Sequence, residues 1–363
     1  LEVEMYAVVM AGGSGTRFWP ASRRERPKQF LNVTGKNPLI MEACNRLRSI
    51  APDEHLILIL GRRHGPEVRR LFADRPVHIL LEPIGRNTAP CIGLGALYAR
   101  HMGCEEAVAF LPADHFIADE EAFTTALTDA AALAENTGGL VTLGIVPTRP
   151  ETGYGYIRRG TEYDAGLGRC AYNVSAFVEK PDLQTARDYL TSGEYYWNGG
   201  IFVATPERIL REMETHLPAF YQGLIEIDQA LEHDDRDIIL EKIYERTEAI
   251  SFDYAVMEKT RSSVFVVPCD CGWSDVGSWG SLYDLRGKER DDQGNLKEGD
   301  VLLEGCEGSF VSARGERLVA CLGLRKVLVV DTQDALLVAD LEKTQDIRKI
   351  VNRLREKGKE SLL

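Results

Sequence analysis

The first half of the chain alternates short, wholly apolar runs with longer stretches in which apolar residues return every three or four positions. Runs at Tyr6–Ala11, Leu56–Leu60, His78–Leu81, Ala107–Leu111 and Leu140–Ile145 have the length of strands buried on both faces. Between them, Leu39–Ser49, Pro66–Phe72, Ala89–His101 and Glu121–Glu135 carry a helical period. This alternation predicts an α/β fold on a parallel sheet with right-handed crossovers. In such sheets ligands sit beyond the carboxyl ends of the strands.

The middle of the chain is mixed. Strands are predicted at Tyr154–Arg158, Ala176–Val178, Ile201–Ala204 and Val264–Pro268. Helices are predicted at Leu183–Leu190, Arg208–Met213, Ala219–Leu231, Asp237–Glu245 and Ser278–Leu285. The stretch Lys288–Gly299 holds little that is apolar and reads as a boundary, giving domains 1–288 and 299–363. Beyond it, short β-branched and apolar runs recur at Val301–Leu303, Ser309–Val311, Leu318–Ala320, Val327–Val330 and Leu336–Val338. They predict stacked β coils, a short β-helix, closed by an amphipathic helix over Glu342–Glu356. A meander or a small sandwich fits the same spacing. So small a stack leaves its edges uncovered, so it is expected to pack on the first domain or on a second subunit.

Composition narrows the function classes. A net charge of -13 on 363 residues argues against a general nucleic-acid binder, whose footprint is basic. No apolar run approaches the roughly twenty residues of a membrane span, and the opening residues 1–4 do not resemble a secretory leader. Eight cysteines, mostly among apolar neighbours, suit reduced thiols and a cytoplasmic setting. Cys269 and Cys271 stand close in sequence, but no second pair supplies a zinc pattern.

Against this acidic background one basic segment stands out. The first strand runs into Ala11-Gly12-Gly13-Ser14-Gly15-Thr16-Arg17, and Arg23, Arg24, Arg26 and Lys28 follow. Glycine-rich backbone after a strand passes close to a ligand and turns its N–H groups toward phosphate oxygens. The cations add the charge that a polyphosphate requires. Phe18 stands where a dinucleotide fingerprint would need its last glycine, and no P-loop pattern occurs. The plain alternative is a glycine turn with solvated arginines.

Other segments carry possible chemistry. Asp114 ends the run Leu111-Pro112-Ala113, and Asp275 lies in Gly272-Trp273-Ser274-Asp275-Val276-Gly277. Either aspartate alone reads equally well as a helix cap, whereas two hard oxygen ligands together can hold Mg²⁺ against phosphates. His115 reads as a loop residue shaping that site. The phrase Glu82-Pro83-x-x-Arg86-Asn87-Thr88-Ala89-Pro90 opens a helix and suits capping or contacts to a base or ribose. Gly153-Tyr154-Gly155, Glu179-Lys180-Pro181 and Trp197-Asn198-Gly199-Gly200 each read as a turn or as a binding piece.

The glycine loop with its Phe18-Trp19-Pro20 and Pro27-Lys28-Gln29-Phe30 resembles that of the sugar-1-phosphate nucleotidylyltransferases, in the mannose-1-phosphate guanylyltransferase branch. The resemblance extends over essentially the whole chain. It implies a Rossmann-like nucleotidyltransferase domain with a mainly parallel mixed sheet, followed by a small β-helix-like domain. It also implies a Mg²⁺-dependent transferase that makes GDP-mannose and pyrophosphate from GTP and mannose-1-phosphate, and a homodimer. Arg17, Lys28, Asp114, Lys180 and Asp275 take the catalytic positions of the family pattern. Residues 11–17, Lys28, Glu82, Arg86, Asn87, Thr88 and Asp114 fall on the nucleotide side. Gly153, Tyr154, Glu179, Lys180, Asn198 and Asp275 fall on the sugar-phosphate side, and Asp114 with Asp275 at the metal. Physics alone does not choose guanine over thymine or uracil. A thymidylyl or uridylyl transferase acting on glucose-1-phosphate, or a non-catalytic nucleotide-sugar regulator, are the competing readings.

Overall fold

A computed structural model describes residues 5–13, 15–164 and 170–363. Ser14 of the glycine loop and the opening residues 1–4 lie outside the described residues. The chain forms two compact units, each discontinuous in sequence. The first comprises Leu1–Gly12, Ala43–Ala113 and Ile117–Trp273, and the second Gly13–Glu42, Asp114–Phe116 and Ser274–Leu363. Helix α1 (Leu39–Leu47) runs across one of these boundaries.

The first unit is built on one sheet. Its strands are β1 (Tyr6–Met10), β2 (Leu56–Gly61), β3 (His78–Glu82), β4 (Val108–Pro112), β5 (Leu140–Ile145), β6 (Gly155–Tyr163), β7 (Ala171–Glu179), β8 (Tyr195–Ala204) and β9 (Val264–Cys269). They lie in the order β3-β2-β1-β4-β8-β5-β9-β7-β6. The first four are mutually parallel; the apolar runs of β1, β2 and β4 are buried as the sequence predicts, whereas β3, at the sheet edge, leaves His78–Leu81 only half-buried. Their crossovers include α2 (Gly65–Leu71) and α3 (Thr88–His101). Helix α3 lies so close to the sheet that a Cβ on Gly95 would stand 2.8 Å from Val8 Cγ1.

The sheet departs from the expected pattern at its centre. β8 is inserted antiparallel between β4 and β5, so β5 pairs with β8 and β9 and not with β4. β6, β7 and β8 also extend well beyond their predicted apolar centres. Polar positions such as Arg159, Asn173 and Asn198 join the ladders, which supply their backbone partners whatever the side chain. Helices α4 (Glu120–Thr137), α5 (Leu183–Ser192), α6 (Pro206–His216), α7 (Pro218–Ala230) and α8 (Arg236–Arg246) complete this unit. The side chains of Asp119, Asp182 and Thr205 cap α4, α5 and α6.

The second unit carries α9 (Trp279–Leu285) and strands β10 (Leu296–Glu298), β11 (Val301–Glu304), β12 (Phe310–Ala313), β13 (Val319–Leu322), β14 (Val327–Asp331) and β15 (Leu336–Asp340). β10, β12 and β14 stack in parallel, as do β11 and β13, which is the coil stack of a short β-helix. β10 falls inside the polar stretch Lys288–Gly299. The terminal helix α10 is regular only over Ile347–Glu356. Before it, Leu341–Asp346 winds more tightly, with Asp340 accepting from Glu342 N–H at 2.8 Å and Lys343 leaving helical geometry. The unit's core joins Phe18, Trp19 and Leu31 of the basic segment to Trp279, Phe310, Leu328, Ile347 and Val351.

Candidate active site

The basic segment turns through Gly15, whose φ of +54° lies in the left-handed region. Gly15 also rests on Lys28: a Cβ there would stand 2.5 Å from Lys28 Cβ. A side chain at this position would therefore be strained and would push Lys28 aside. Gly13, at φ +111°, is a second position suited to glycine, while Ala11 is buried and donates its N–H to Ile59 O at 2.8 Å. Gly12 and Gly13 are exposed. The arginines divide. Arg23 is tied to Asp334 and Arg24 to Glu360, whereas Arg17 reaches a cleft within the second unit.

That cleft, of about 460 Å³, is lined by Gly15, Thr16, Arg17, Lys28, Asp114, His115, Asp275, Gly277 and Arg348 among others. Lys28 is nearly buried, at 5% exposure, and its ammonium needs fixed acceptors. It donates to Asp114 Oδ2 at 3.0 Å and to the backbone carbonyl of Asp275. One ammonium thus holds together segments far apart in sequence. Burial pushes the Asp114 carboxyl up, but the charges of Lys28 and His115 and the Lys28 hydrogen bond outweigh it, leaving Asp114 below the usual carboxylate range. Asp275 Oδ1 accepts from Gly277 N–H at 3.1 Å. A Cβ on Gly277 would stand 2.6 Å from Asp275 Oδ2, so a side chain there would displace that carboxylate. Between the two, buried Val276 is held at φ +43°, a conformation a β-branched residue rarely adopts.

An ionised Asp114 and the Asp275 side chain in one cleft form a hard-oxygen donor set. Among the described residues no group of three acidic, histidine or cysteine side chains forms a protein-only metal cage. Two carboxylates suit Mg²⁺, which commonly completes its shell with phosphate oxygens and water. The residues therefore fit that ion.

The remaining expected residues lie in the first unit. Glu82, at the end of β3, is buried and accepts from the Tyr244 hydroxyl at 3.1 Å; burial pushes its carboxyl up to about 7. Arg86 donates to the carbonyls of Tyr244 and Glu245 at 2.7 and 2.9 Å, so its guanidinium fastens this loop to the end of α8. Asn87, at φ +67°, caps α3 through Thr88 N–H at 2.8 Å, and Thr88 Oγ1 accepts from Phe252 N–H at 2.9 Å.

The pieces read as sugar-binding converge within the same unit. Glu179 ends β7 opposite Gly155 and pairs with Lys180. A Cβ on Gly155 would meet Glu179 Oε2 at 2.9 Å and Asn198 Cβ at 3.5 Å. Asn198 donates to Asp253 Oδ1 at 2.6 Å, and burial raises the Asp253 carboxyl above its usual range. Gly153 donates its N–H to Glu151 Oε1 at 3.0 Å. Tyr154 sets its ring edge-on to Trp197 and Trp273, each with centroids 5.3 Å away. The sequence reading missed Asp253, which sits among apolar residues with no motif signal, and Arg348, which showed only as one polar position of an amphipathic helix.

Comparisons with known proteins identify the family. The nucleotidyl transferase family model matches residues 6–292, and a MannoseP isomerase/GMP-like β-helix domain matches residues 300–354. The chain is 41% identical to mannose-1-phosphate guanylyltransferase ManC of Salmonella typhimurium, over 99% of this chain and 75% of that protein. It is 42% identical to xanthan biosynthesis protein XanB of Xanthomonas campestris, over 98% of this chain and 74% of that one. Among solved structures, a Thermus thermophilus protein described as a mannose-1-phosphate geranyltransferase superposes with a TM-score of 0.84 at 36% identity, covering 97% of this chain and 99% of that one. The chain belongs to the nucleotidyl transferase family and carries its β-helix domain of the MannoseP isomerase/GMP-like kind.

Proposed function

We propose that this protein transfers GMP from GTP to mannose-1-phosphate, giving GDP-mannose and pyrophosphate. The observation that carries the reading is the Lys28 ammonium bound to both Asp114 and Asp275 in a cleft opened by the glycine loop. Relatives named for that activity, matched over 98–99% of this chain and 74–75% of their own length, support the choice of base and sugar. The sugar phosphate is its own nucleophile, since a monoester with a second pKa near 6 is largely dianionic at neutral pH. The protein therefore needs alignment and charge neutralisation, with no general base. In this reading Lys28 exchanges its carboxylate partner for phosphate oxygens, and Arg17 adds a forked contact. Asp114 and Asp275 hold Mg²⁺, which supplies Lewis-acid neutralisation of the phosphates when bound. Residues 11–16 with Glu82, Arg86, Asn87 and Thr88 shape the nucleotide side. Gly153, Tyr154, Glu179, Lys180 and Asn198 serve the sugar phosphate.

The same reading takes 1–288 as the catalytic domain, 299–363 as the β-helix domain, and the chain as a cytoplasmic homodimer. Eight cysteines, none in a disulfide among the described residues, support the compartment. Leu302, Leu318, Leu322, Leu336 and Val338, exposed on the coils, support association. No described helix is long and apolar enough to cross a membrane. Pyrophosphate release measured across GTP, dTTP and UTP, each with mannose-1-phosphate and glucose-1-phosphate, tests the chemistry. GTP with mannose-1-phosphate is expected to be fastest, and a preference for UTP or dTTP would overturn the base assignment.

A further inference from the structure

Arg348 is the residue of the cleft that neither the motifs nor the mechanism accounts for. It stands at the second position of α10, in the last helix of the chain, yet it lines the same cleft as Gly15, Thr16, Arg17, Lys28 and Asp275. The helix is fixed there from two sides. Ile347 and Val351 are buried in one cluster with Phe18 and Trp19, and Trp19 Nε1 donates to Leu362 O at 2.8 Å. On the other side, Thr344 Oγ1 accepts from Gly280 N–H at 3.2 Å and lies 3.3 Å from Ser278 Oγ, in the segment that follows Asp275. An arginine carried on such a support is held at the cleft by packing, while its own side chain is exposed.

The charges in the cleft show what that arginine faces. Lys28 is already engaged by Asp114, whereas Arg348 makes no direct ion pair among the described residues, although its charge adds to the hydrogen bond and charge of Lys349 in holding the Asp346 carboxyl below its usual range. Its neighbour Lys349 takes Asp346 at 2.9 Å instead. An unpaired guanidinium beside a glycine loop offers a planar fork to phosphate oxygens.

We propose that Arg348 binds phosphate in the active site, taking the outer phosphates of the triphosphate and the pyrophosphate they become. The β-helix segment thereby completes the phosphate site of the transferase. This rests on the cleft being the triphosphate site, and the experiment separates the two claims. Initial rates of the wild type, Arg348→Gln, Arg348→Lys, Arg353→Gln and Lys28→Ala are measured in both directions, with calorimetric titration of pyrophosphate. Arg353 lies five residues on and is turned well away around the helix. For Arg348→Gln, the KM values for GTP and pyrophosphate and the pyrophosphate Kd should each rise about tenfold, the worth of one charged hydrogen bond. KM for mannose-1-phosphate and the melting temperature should hold, Arg348→Lys should recover part of the loss, and Arg353→Gln should match wild type. Unchanged GTP and pyrophosphate constants in Arg348→Gln, with Lys28→Ala impaired, would overturn the role of Arg348 alone. If Lys28→Ala also keeps wild-type constants, the reading of the cleft falls first. Equal weakening of mannose-1-phosphate binding and of stability would make Arg348 a structural residue and likewise overturn the proposal.

Discussion

Two carboxylates close to the ends of parallel strands are shifted in opposite directions, one by a countercharge and the other by burial. Asp114 follows β4 and meets the Lys28 ammonium, which holds it ionised. Glu82 ends β3 and, among the described residues, meets the Tyr244 hydroxyl and no cation, so burial pushes its carboxyl up to about 7. The topology is the same, but the countercharge is not. A carboxylate fixed in its charged form is suited to holding a cation, whereas one that keeps its proton toward neutrality acts as a hydrogen-bonded part of the framework.

The pH dependences therefore run in opposite senses. Asp114 has a lowered folded-state pKa, so its contribution is present above the ordinary carboxylate range and is lost as pH falls through the lowered value. Glu82 has a raised one, so its contribution is complete below about 4.5 and is lost as pH rises through about 7.

The largest expected effect comes from removing the countercharge. Lys28→Met should lower turnover at least about 100-fold, the usual cost of deleting one electrostatic donor at a reacting phosphate or oxyanion. It should also raise the Asp114 carboxyl, read by NMR titration; an unmoved Asp114 would erase the contrast with Glu82. Next, Glu82→Gln should remove the stability loss between pH 4.5 and 7, worth about 3 kcal/mol on linkage arithmetic. Urea unfolding across that range checks it, and a slope identical to wild type would show that Glu82 is not the titrating group. Tyr244→Phe should have the smallest effect. It removes the hydroxyl donor to Glu82, costing about 1 kcal/mol and moving the carboxyl further up.

The sequence made the phosphate side legible because its chemistry is local. Three glycines, a run of cations and a strand end stand within one segment, and Asp114 and Asp275 each occupy a recognisable phrase. The parallel strands were equally readable, being apolar on both faces. The insertion of β8 between β4 and β5 was not, because strand order is set by tertiary pairing that leaves no mark on periodicity. Asp253 acquires meaning only through Asn198, and Arg348 only through the cleft that α10 is packed against. Arg86 illustrates the reverse case. Its motif points to a nucleotide, while its guanidinium is occupied by two carbonyls at the end of α8.

The most direct test is single-turnover formation of GDP-mannose from GTP and mannose-1-phosphate, with saturating Mg²⁺, by Asp275→Asn. This change keeps the shape of the side chain and leaves the backbone carbonyl that Lys28 uses. A rate at least about 100-fold below wild type, with an unchanged melting temperature, is the predicted result. A near-normal rate would contradict the claim that Lys28, Asp114 and Asp275 form the phosphate-transfer site.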